Sequence, residues 1–571
     1  LRQLLDAKDF VHSTEQHWRF ICEKINYVPI FKIARDILLD MPAGQDSSGA
    51  AKRLARTALR ISGNKAALRH DLMGRIYHWL LHDAKYLGTY YTSVSSATLL
   101  LGLTFGSNKW ADTDWSDFES LSEFAVADLA CGTGTLLMAS SHAISDKVIS
   151  NTVAEGGTID ESFLRNLHQT LIENILHGYD VIPSAVHLTA ASLGLMAPEI
   201  AFRKMQLFSL PLGKNNKGEI YLGSIEYLNK STIETQLNFL GDPHSGGAAE
   251  AVTGTGGAAS TAPIPSLDLC VMNPPFVRSV GGNLLFGSLP SYRKEMQDKL
   301  RSYLKPKNAP NVYASTTAGL GSVFIAVAHQ HIKPGGRLSL VIPAAITSGV
   351  AWESTRKLID GHYHLECLVG SHDASKWSFS ENTELSEVLL VARKRRTKET
   401  GERTTFINLW VNPGTIAKAL AVSDGIEKSE PFFAEDDQIN LDAVSSVVVG
   451  GRKIGEIYSL PTKDISGAAW LGCAFAQTQL NRVLVKLRLG SLPQYKKEGS
   501  EDIPVTRLGQ LGSLGPDRRD IYDGFNIEKH RTSFPAFWGH NADEVRRIES
   551  TPNRWLTPLA KAKAGRPLRD A

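Results

Sequence analysis

Short apolar runs alternate with stretches of helical periodicity over most of the middle of the chain. The runs 124–129 (FAVADL), 267–272 (LDLCVM) and 337–342 (RLSLVI) each end at glycine, proline or a polar residue, which is typical of buried strands. Between them, 184–195 (SAVHLTAASLGL) and 321–332 (GSVFIAVAHQHI) have the spacing of helices. This alternation predicts an α/β protein with a wound sheet.

The two ends of the chain differ from this middle part. Residues 1–85 carry helical periodicity, for example at 51–59 and 68–81, and predict an N-terminal helical region. Residues 399–571 show a mixed pattern. Residues 241–263 are low in bulky apolar residues and rich in Gly, Ala and Ser, so we expect a flexible insertion ahead of the 267–272 strand.

The composition limits what kind of protein this is. A chain of 571 residues is too long for one ordinary core, so two or three domains are expected. With 62 Lys and Arg against 59 Asp and Glu, the net charge is +3, and any nucleic-acid contact must come from a local basic face. The run 393–398 (RKRRTK) is a candidate for binding phosphates, although most such runs are solvated surface.

The cysteines and the start of the chain indicate the compartment. Cys22, Cys131, Cys270, Cys367 and Cys473 are scattered without metal-ligand spacing, and three lie in apolar, strand-like runs. Reduced, buried thiols, no metal site and a cytoplasmic protein are therefore expected. The first residues, LRQLLDAKDF, lack a signal-peptide pattern, and no apolar run is long enough to cross a membrane. Because the chain begins without Met, we expect a processed or truncated piece.

Four residues directly after the 267–272 run carry the clearest chemistry: Asn273, Pro274, Pro275 and Phe276. Two prolines end a strand, so an amide, stiffened carbonyls and an aromatic ring lie at its carboxyl end, where open α/β sheets bind ligands. The amide oxygen and a backbone carbonyl can accept both hydrogens of a planar amino group, while the ring stacks on its heterocycle. This predicts methylation of an exocyclic nitrogen, and an ordinary Asn-Pro turn is the alternative.

A second ligand-binding pattern lies upstream, at 124–137 (FAVADLACGTGTLL). Gly132 and Gly134 let a ligand approach the backbone, and the following helix begins with free N–H groups. Asp128 can accept hydrogen bonds from a cationic amine and would repel phosphate, while Asp180 ends the next strand and is placed to hold ribose hydroxyls. These features suit S-adenosylmethionine; the alternatives are a plain strand-helix turn and, for Asp180, helix capping.

In this order, DLACGTG at 128–134, GYDVIP at 178–183 and NPPF at 273–276 resemble the N6-adenine DNA methyltransferases of restriction-modification and phage-defence systems. GTYYTS at 88–93 resembles the GxYYTP segment that those enzymes use against the methionine part of the cofactor. This order is that of the gamma class, and the resemblance covers residues 70–395. It implies a Rossmann-like class I S-adenosylmethionine-dependent methyltransferase sheet, in a catalytic domain at 86–398.

The resemblance also implies roles for individual residues. Asn273, Pro274, Pro275 and Phe276 are the expected catalytic residues, and Phe276 and Phe379 are expected to contact the substrate base, with core packing as the alternative for Phe379. Two positions depart from the family: Ser93 stands where Pro is usual, and Ser224 stands near a position where Asp usually binds the adenine amine. The expected cofactor-binding residues are Tyr91, Thr92, Asp128, Ala130, Gly132, Gly134, Asp180, Ser224 and Asn273.

The implied reaction is direct methyl transfer to N6 of an adenine flipped out of double-stranded DNA. Nuclease, helicase or specificity subunits of a defence system are the candidate partners. Residues 506–540 resemble the opening of a target-recognition region, so 399–571 is expected to be the start of a truncated recognition domain. Two other functions stay open: an N2-guanine RNA methyltransferase, and a non-catalytic DNA-binding subunit of a defence complex.

Overall fold

The structure is a computed structural model of the whole chain. It divides into two compact units, Leu1–Leu489 and Gly490–Ala571, which are described separately. The described residues are 2–24, 28–42, 44–63, 91–106, 109–197, 200, 202, 204–215, 217–234, 250–251, 261–276, 292–305, 313–381, 383, 385–396, 403–429, 432–433, 445–461, 470–492, 503–512, 518–536 and 552–559.

The helices of the described residues occur in both units. They are α1 (Arg2–Leu5), α2 (Phe10–Lys24), α3 (Val28–Asp40), α4 (Gln45–Gly63), α5 (Val94–Thr104), α6 (Phe118–Ser122), α7 (Thr135–Ala154), α8 (Glu161–Thr170), α9 (Pro183–Met196), α10 (Arg293–Tyr303), α11 (Leu320–His331), α12 (Glu353–His362), α13 (Ile416–Lys428), α14 (Thr478–Leu489), α15 (Leu508–Leu511) and α16 (Arg518–Gly524).

The strands are more numerous and mostly short. They are β1 (Tyr91–Thr92), β2 (Val126–Asp128), β3 (Leu176–Asp180), β4 (Gln206–Ser209), β5 (Leu212–Lys214), β6 (Ile220–Leu222), β7 (Thr232–Glu234), β8 (Glu250–Ala251), β9 (Thr261–Pro263), β10 (Leu267–Met272), β11 (Ile332–Pro343), β12 (Tyr363–Ser371), β13 (Ser380–Glu381), β14 (Glu387–Lys394), β15 (Arg403–Leu409), β16 (Phe432–Phe433), β17 (Ser445–Val449), β18 (Arg452–Pro461), β19 (Ser491–Leu492), β20 (Ile503–Pro504), β21 (Phe525–Glu528), β22 (Phe534–Ala536) and β23 (Arg554–Pro558).

One large sheet organises the first unit, with the described strands in the order β16-β18-β15-β12-β14-β11-β10-β2-β3-β4-β8, and β17 paired to β18. The neighbours β11, β10, β2, β3 and β4 run parallel. Strand β14 is antiparallel to both β11 and β12 and lies between them. Helices follow the parallel strands along the chain, and the predicted α/β class with a Rossmann-like wound sheet is confirmed.

The sheet is covered on both faces, which explains why its strands are apolar almost throughout. Successive side chains of β10 alternate between two hydrophobic cores: Cys270 and Met272 belong to one, and Leu269 and Val271 to the other. Helix α11 contributes to the first core, while α5 and α7 contribute to the second. A strand buried on both sides carries no polar alternation, so its sequence is the continuous apolar run from which it was predicted.

The N-terminal helices form a small core of their own. Phe10, Leu38, Ala51 and Ala55 are its buried members, drawn from α2, α3 and α4. Helix α4 contains the predicted helical stretch 51–59. The second predicted stretch, 68–81, lies outside the described residues. So does most of the expected insertion 241–263, within which residues 250–251 and 261–263 form β8 and β9.

The large sheet continues beyond residue 398, where the catalytic domain was expected to end. Strand β15 pairs in parallel with β12, and β18 pairs with β15, because apolar residues such as Phe406, Ile407 and Ile457 join the same two cores. The first compact unit accordingly extends to Leu489. The second unit contains a three-stranded antiparallel sheet in the order β21-β23-β22 and the separate hairpin of β19 and β20.

Cys131, Cys270, Cys367 and Cys473 are buried, as predicted for core cysteines, and Cys22 is partly exposed. Within the described part of the chain, no helix has the length and apolar character needed to cross a bilayer.

Candidate functional site

Three predicted residues lie at one edge of the sheet. Asp128 ends β2 and Asp180 ends β3, while Asn273 directly follows β10. Since β2 is the parallel neighbour of both β3 and β10, these three carboxyl ends are adjacent. The two sequence patterns, separated along the chain, therefore open on the same side of the sheet.

The glycine turn after β2 is held by the two acids. The Ala130 N–H donates to Asp128 Oδ1 at 3.0 Å, and the Gly132 N–H donates to Asp180 Oδ2 at 2.9 Å. Gly132 and Gly134 have φ of 53° and 84°, the left-handed region that favours glycine. A Cβ on Gly134 would lie 2.6 Å from Thr189 Cγ2, so this glycine is also required for close packing against α9.

Gly132 differs from Gly134 in what surrounds it. A Cβ at Gly132 would meet no atom within 4 Å, although the neighbouring turn is densely hydrogen-bonded. The turn therefore presents its bare backbone to open space, next to the N-terminus of α7 and beside two carboxylates. A ligand that lies against the backbone fits there, as expected for a cofactor cradle.

The two acids are buried, and they lie near enough to each other for their charges to interact. Burial raises the pKa of Asp128 from 3.8 to about 8; the Ala130 N–H lowers it in part, and the charge on Asp180 raises it further. Burial also raises the pKa of Asp180, against the N–H groups of Ile182, Gly132 and Val181. In the part of the chain that the structure describes, no cation is paired with either carboxyl, and two such buried acids favour a positively charged ligand and disfavour phosphate.

Asp180 also serves the adjoining helix. Its Oδ1 accepts from the N–H of Ile182 at 2.9 Å, and Ile182 is the residue directly before α9. This bond forms a turn ahead of the helix, and no side-chain hydrogen bond caps the N-terminus of α9 itself. The carboxylate couples the turn to β3 and α9.

The NPPF segment packs against the start of α11. A Cβ on Gly321 would lie 3.6 Å from both the Pro274 ring and the Phe276 ring, and 3.3 Å from Trp352. Pro274 is buried, whereas Asn273, Pro275 and Phe276 are partly exposed. Pro274 therefore anchors the segment in the core, while the phenyl ring of Phe276 keeps access to the surface.

Asn273 is joined to two segments that are distant in sequence. Its Nδ2 donates to Thr92 Oγ1 at 2.9 Å and to Ser380 Oγ at 3.0 Å. Thr92 and Ser380 are directly opposite each other in the antiparallel ribbon of β1 and β13. The described part of the GTYYTS segment, residues 91–93 with the buried Tyr91, is thereby brought to the NPPF segment.

The two departures from the family have structural roles. The Ser93 hydroxyl accepts from the Ser96 N–H at 3.2 Å and caps the N-terminus of α5. The Ser224 hydroxyl is buried and donates to the Leu129 carbonyl at 2.6 Å, which ties the segment after β6 to the loop that carries the glycine turn. Ser224 lies next to the predicted cofactor site, and its hydroxyl proton is already donated to the Leu129 carbonyl.

Phe379 is placed in the core. Its side chain is 0% exposed and belongs to the hydrophobic cluster that contains α5 and α7, as its core-packing alternative describes. Its backbone contributes to the site instead, since its carbonyl accepts from the Ser93 N–H. Two residues earlier, Trp377 is 55% exposed and is the aromatic side chain of this loop that solvent reaches.

The basic run 393–398 is tied into the fold where it is described. Lys394 donates to the carbonyls of His329 and Ile332, Arg393 lies 3.5 Å from Glu366, and Arg396 pairs with Asp112. Arg393 is opposite Arg337 in the register of β14 with β11, which is toward the amino end of β11. This run therefore lies away from the edge that carries Asp128 and Asn273.

Sequence reasoning missed Ser380, Glu387 and Gly321. Ser380 and Glu387 stand in a polar stretch, SENTELSE at 380–387, that carries no motif, and Gly321 is one small residue in a helix. Among the described residues there is no group of three or more His, Cys, Asp or Glu side chains able to hold a metal ion.

No protein-family model and no curated protein matches this chain. One similar solved structure is the type IIG restriction endonuclease BpuSI, with 12% identity, a TM-score of 0.44, and a match over 95% of this chain and 47% of that one. A second is the DrdV–DNA complex, with 11% identity, a TM-score of 0.41, and a match over 69% of this chain and 36% of that one. A third is the type I restriction-modification methyltransferase subunit from Streptococcus thermophilus, with 12% identity, a TM-score of 0.38, and a match over 80% of this chain and 74% of that one. The match spans between a third and a half of the length of the first two proteins. These likenesses are weak, and the strand order of the large sheet defines the fold.

Proposed function

We propose that this chain transfers a methyl group from S-adenosylmethionine to N6 of an adenine in double-stranded DNA, within a restriction-modification or phage-defence system. The observation that carries the proposal is the convergence of the acid and glycine turn with Asn273. They end adjacent parallel strands, and Thr92 of the third segment is hydrogen-bonded to Asn273. The fold brings the glycine turn and Asn273 to the same edge of the sheet, but it does not by itself bring Thr92 there, so the bond between Thr92 and Asn273 supports one shared site.

The residues at the turn fit the cofactor. S-adenosylmethionine, when bound, supplies an electrophilic methyl group on a sulfonium together with a cationic amine. Asp128 is the buried carboxylate for that amine, and Asp180 lies beside it for the ribose hydroxyls. The open backbone at Gly132 and the first N–H groups of α7 complete the cradle.

Asn273 and Pro274 act on the acceptor nitrogen. The adenine amine is a poor nucleophile because its lone pair is delocalised into the ring. The Asn273 side-chain carbonyl and the Pro274 backbone carbonyl accept its two hydrogens, which favours a pyramidal nitrogen with an available lone pair. No covalent bond between protein and base is required.

The base must leave the helix to reach these carbonyls. Phe276 is partly exposed beside Asn273 and replaces the lost stacking, a contact of about 1–3 kcal/mol. Trp377 supplies a second exposed aromatic surface, three residues before the Ser380 that holds Asn273. It is a better candidate for contact with nucleic acid than the buried Phe379.

The proposal is tested by offering the full-length protein tritiated S-adenosylmethionine with separate pools of unmethylated bacterial genomic DNA, total RNA and cell protein. We expect label in DNA, recovered after digestion as N6-methyldeoxyadenosine. Label in N2-methylguanosine from RNA would overturn the proposal in favour of the RNA enzyme. Cofactor binding without transfer to any pool would overturn it in favour of a non-catalytic subunit.

The same assay tests the role of Asn273. Asn273→Ala should lower transfer by about 100-fold or more, since it removes an acceptor needed only as the reaction proceeds. The affinity for S-adenosylmethionine, measured by titration calorimetry, should stay close to that of the unmodified protein. Asn151→Ala is the matched control, because it removes an amide that bonds only to Lys147 of its own helix. Equal loss of binding and transfer in Asn273→Ala would contradict this role.

A further inference from the structure

The extrusion of a base, which the proposed function requires, leaves a gap in the duplex where the adenine was stacked. The gap is about 3.4 Å high, the rise of one base along its strand. Proteins that unstack bases frequently fill such a gap with an apolar side chain. That side chain must project beyond its neighbours, lie beside the pocket for the base, and be held in place. The loop of residues 344–352, which joins β11 to α12, carries one side chain that meets these three conditions.

The 344–352 loop lies beside the NPPF segment. It leaves the carboxyl end of β11, and β11 is the parallel neighbour of β10, which the NPPF segment follows. Trp352, the last residue of the loop, is buried against Gly321, and the Phe276 ring lies against the same glycine. The loop and the ring proposed to stack on the base therefore share one support.

Val350 is the apolar residue of this loop that projects into solvent. Its side chain is 84% exposed, so the protein itself gives it almost no packing. The loop sequence, AAITSGVAW, contains no charged residue that would have to enter the base stack with it. Trp377, the other exposed residue near the site, is 55% exposed, so part of its ring already packs on the protein. An exposed ring face suits stacking on a base, whereas a projecting side chain suits entry between base pairs.

Single exposed apolar residues are common on protein surfaces, but this one stands on a backbone that is firmly held. Arg356 of α12 donates from Nη1 to the carbonyls of Ile346 at 2.8 Å and Gly349 at 2.9 Å, and the Ile346 side chain is fully buried. The Gly349 N–H donates to the Ala345 carbonyl at 2.7 Å. A Cβ on Gly349 would lie 2.7 Å from that oxygen, so this close turn requires glycine. The protein thus fixes the position of a side chain that it does not itself bury.

We propose that Val350 is the wedge that enters the base stack when the adenine leaves the duplex. Its two methyl groups take the place of the adenine against the neighbouring bases, while the adenine stacks on Phe276 and Asn273 accepts from its amine. The wedge lowers the free energy of extrusion and takes no part in methyl transfer itself. The inference rests on the proposed function and deepens it, because it assigns a DNA contact at the same site.

The test compares single-turnover methyl transfer to two synthetic duplexes that carry the sequence in which the unmodified protein methylates genomic DNA. One duplex is fully paired, and the other has a mismatch opposite the target adenine, which lowers the cost of extrusion. Val350→Ala should lower the rate about 10-fold on the paired duplex, as expected for two methyl groups that are no longer buried, and less than about 2-fold on the mismatched one. Val350→Ile should keep the rate on both.

Extrusion is also measured without methyl transfer. In a duplex with 2-aminopurine at the target position, fluorescence rises when this base leaves the stack, and the rise should be smaller with Val350→Ala than with the unmodified protein. Val153→Ala is the matched control, because Val153 is an exposed valine near the C-terminal end of α7, away from the sheet edge at which α7 begins. It should change neither measurement.

The outcomes separate the inference from the function on which it rests. An unchanged rate of Val350→Ala on the paired duplex, or equal losses on the two duplexes, overturns the inference and leaves an Asn273-dependent methyltransferase intact. Rescue of Trp377→Ala by the mismatch, without rescue of Val350→Ala, also overturns it, because Trp377 is then the wedge. Absence of DNA methylation by the unmodified protein overturns the proposed function and the inference together.

Discussion

Replacing Asp128 by Asn separates the binding role of this acid from any role in folding. Asp128 is 1% exposed, and burial raises its pKa from 3.8 to about 8. A carboxyl whose pKa is higher in the folded than in the unfolded state stabilises the fold fully below pH 3.8, and this stability is lost as pH rises toward 8. At pH 7 the loss corresponds to roughly three pKa units, or about 4 kcal/mol at most.

Asn cannot ionise and keeps an oxygen for the Ala130 N–H. Without a ligand, Asp128→Asn should therefore unfold with a higher free energy at pH 7, by up to about 4 kcal/mol, and the gain should shrink toward pH 4. Urea denaturation between pH 4 and pH 8 measures the difference. Asp117→Asn is the matched control, because this exposed acid caps α6 and Asn caps equally well.

The same variant should fail to bind S-adenosylmethionine in titration calorimetry, because the carboxylate for its cationic amine is gone. A more stable protein that has lost its ligand is the signature of a residue kept for binding. If Asp128→Asn is less stable than the unmodified protein at pH 7 and binds the cofactor as well, then the acid is structural and the reasoning about this site fails.

Two further predictions concern the glycine turn and the amino end of the sheet. Gly132→Ala should fold about as well as the control Gly156→Ala, because both glycines have a positive φ and no atom near the position of the added Cβ. Only Gly132→Ala should lose affinity for S-adenosylmethionine, as measured by calorimetry. Equal affinity in the two variants would show that the turn at Gly132 does not bind the cofactor. Glu366 lies beside Lys109 and Arg337 with its side chain 11% exposed. Although partial burial would raise the pKa of Glu366, these cations lower it to about 2. Its stabilising effect is therefore present above about pH 4.5 and lost as pH falls toward 2. Glu366→Gln should destabilise the fold by about 3–5 kcal/mol at pH 7 in urea denaturation, and a change below about 1 kcal/mol would contradict the pairing.

The parts of the fold that the sequence predicts are those with local signals. An apolar run followed by Pro274 and Pro275, or by Gly132 and Gly134, marks both the strand and its end within a dozen residues. Because parallel strands share their carboxyl edge, the approach of Asp128 to Asn273 follows from the fold class alone.

What the sequence does not predict depends on register between distant segments. The pairing of Thr92 with Ser380 and the burial of Glu387 beside that pair leave no periodic pattern, since both strands of the ribbon are two residues long. Phe379 illustrates the same limit, because an aromatic residue in a short loop fits a core or a binding surface equally well until packing decides. Residues 399–571 show only a mixed pattern in the sequence, so the parallel pairing of β15 with β12 has no local signal either.

The most direct test of the central claim is to map modified bases in the genome of a methylation-deficient bacterial host that expresses the full-length protein. We expect N6-methyladenine at one defined sequence context with the unmodified protein and none with Asn273→Ala. Genomic DNA without N6-methyladenine, or the same pattern of methylation with both proteins, would contradict the account of Asn273 and the glycine turn as one methyl-transfer site.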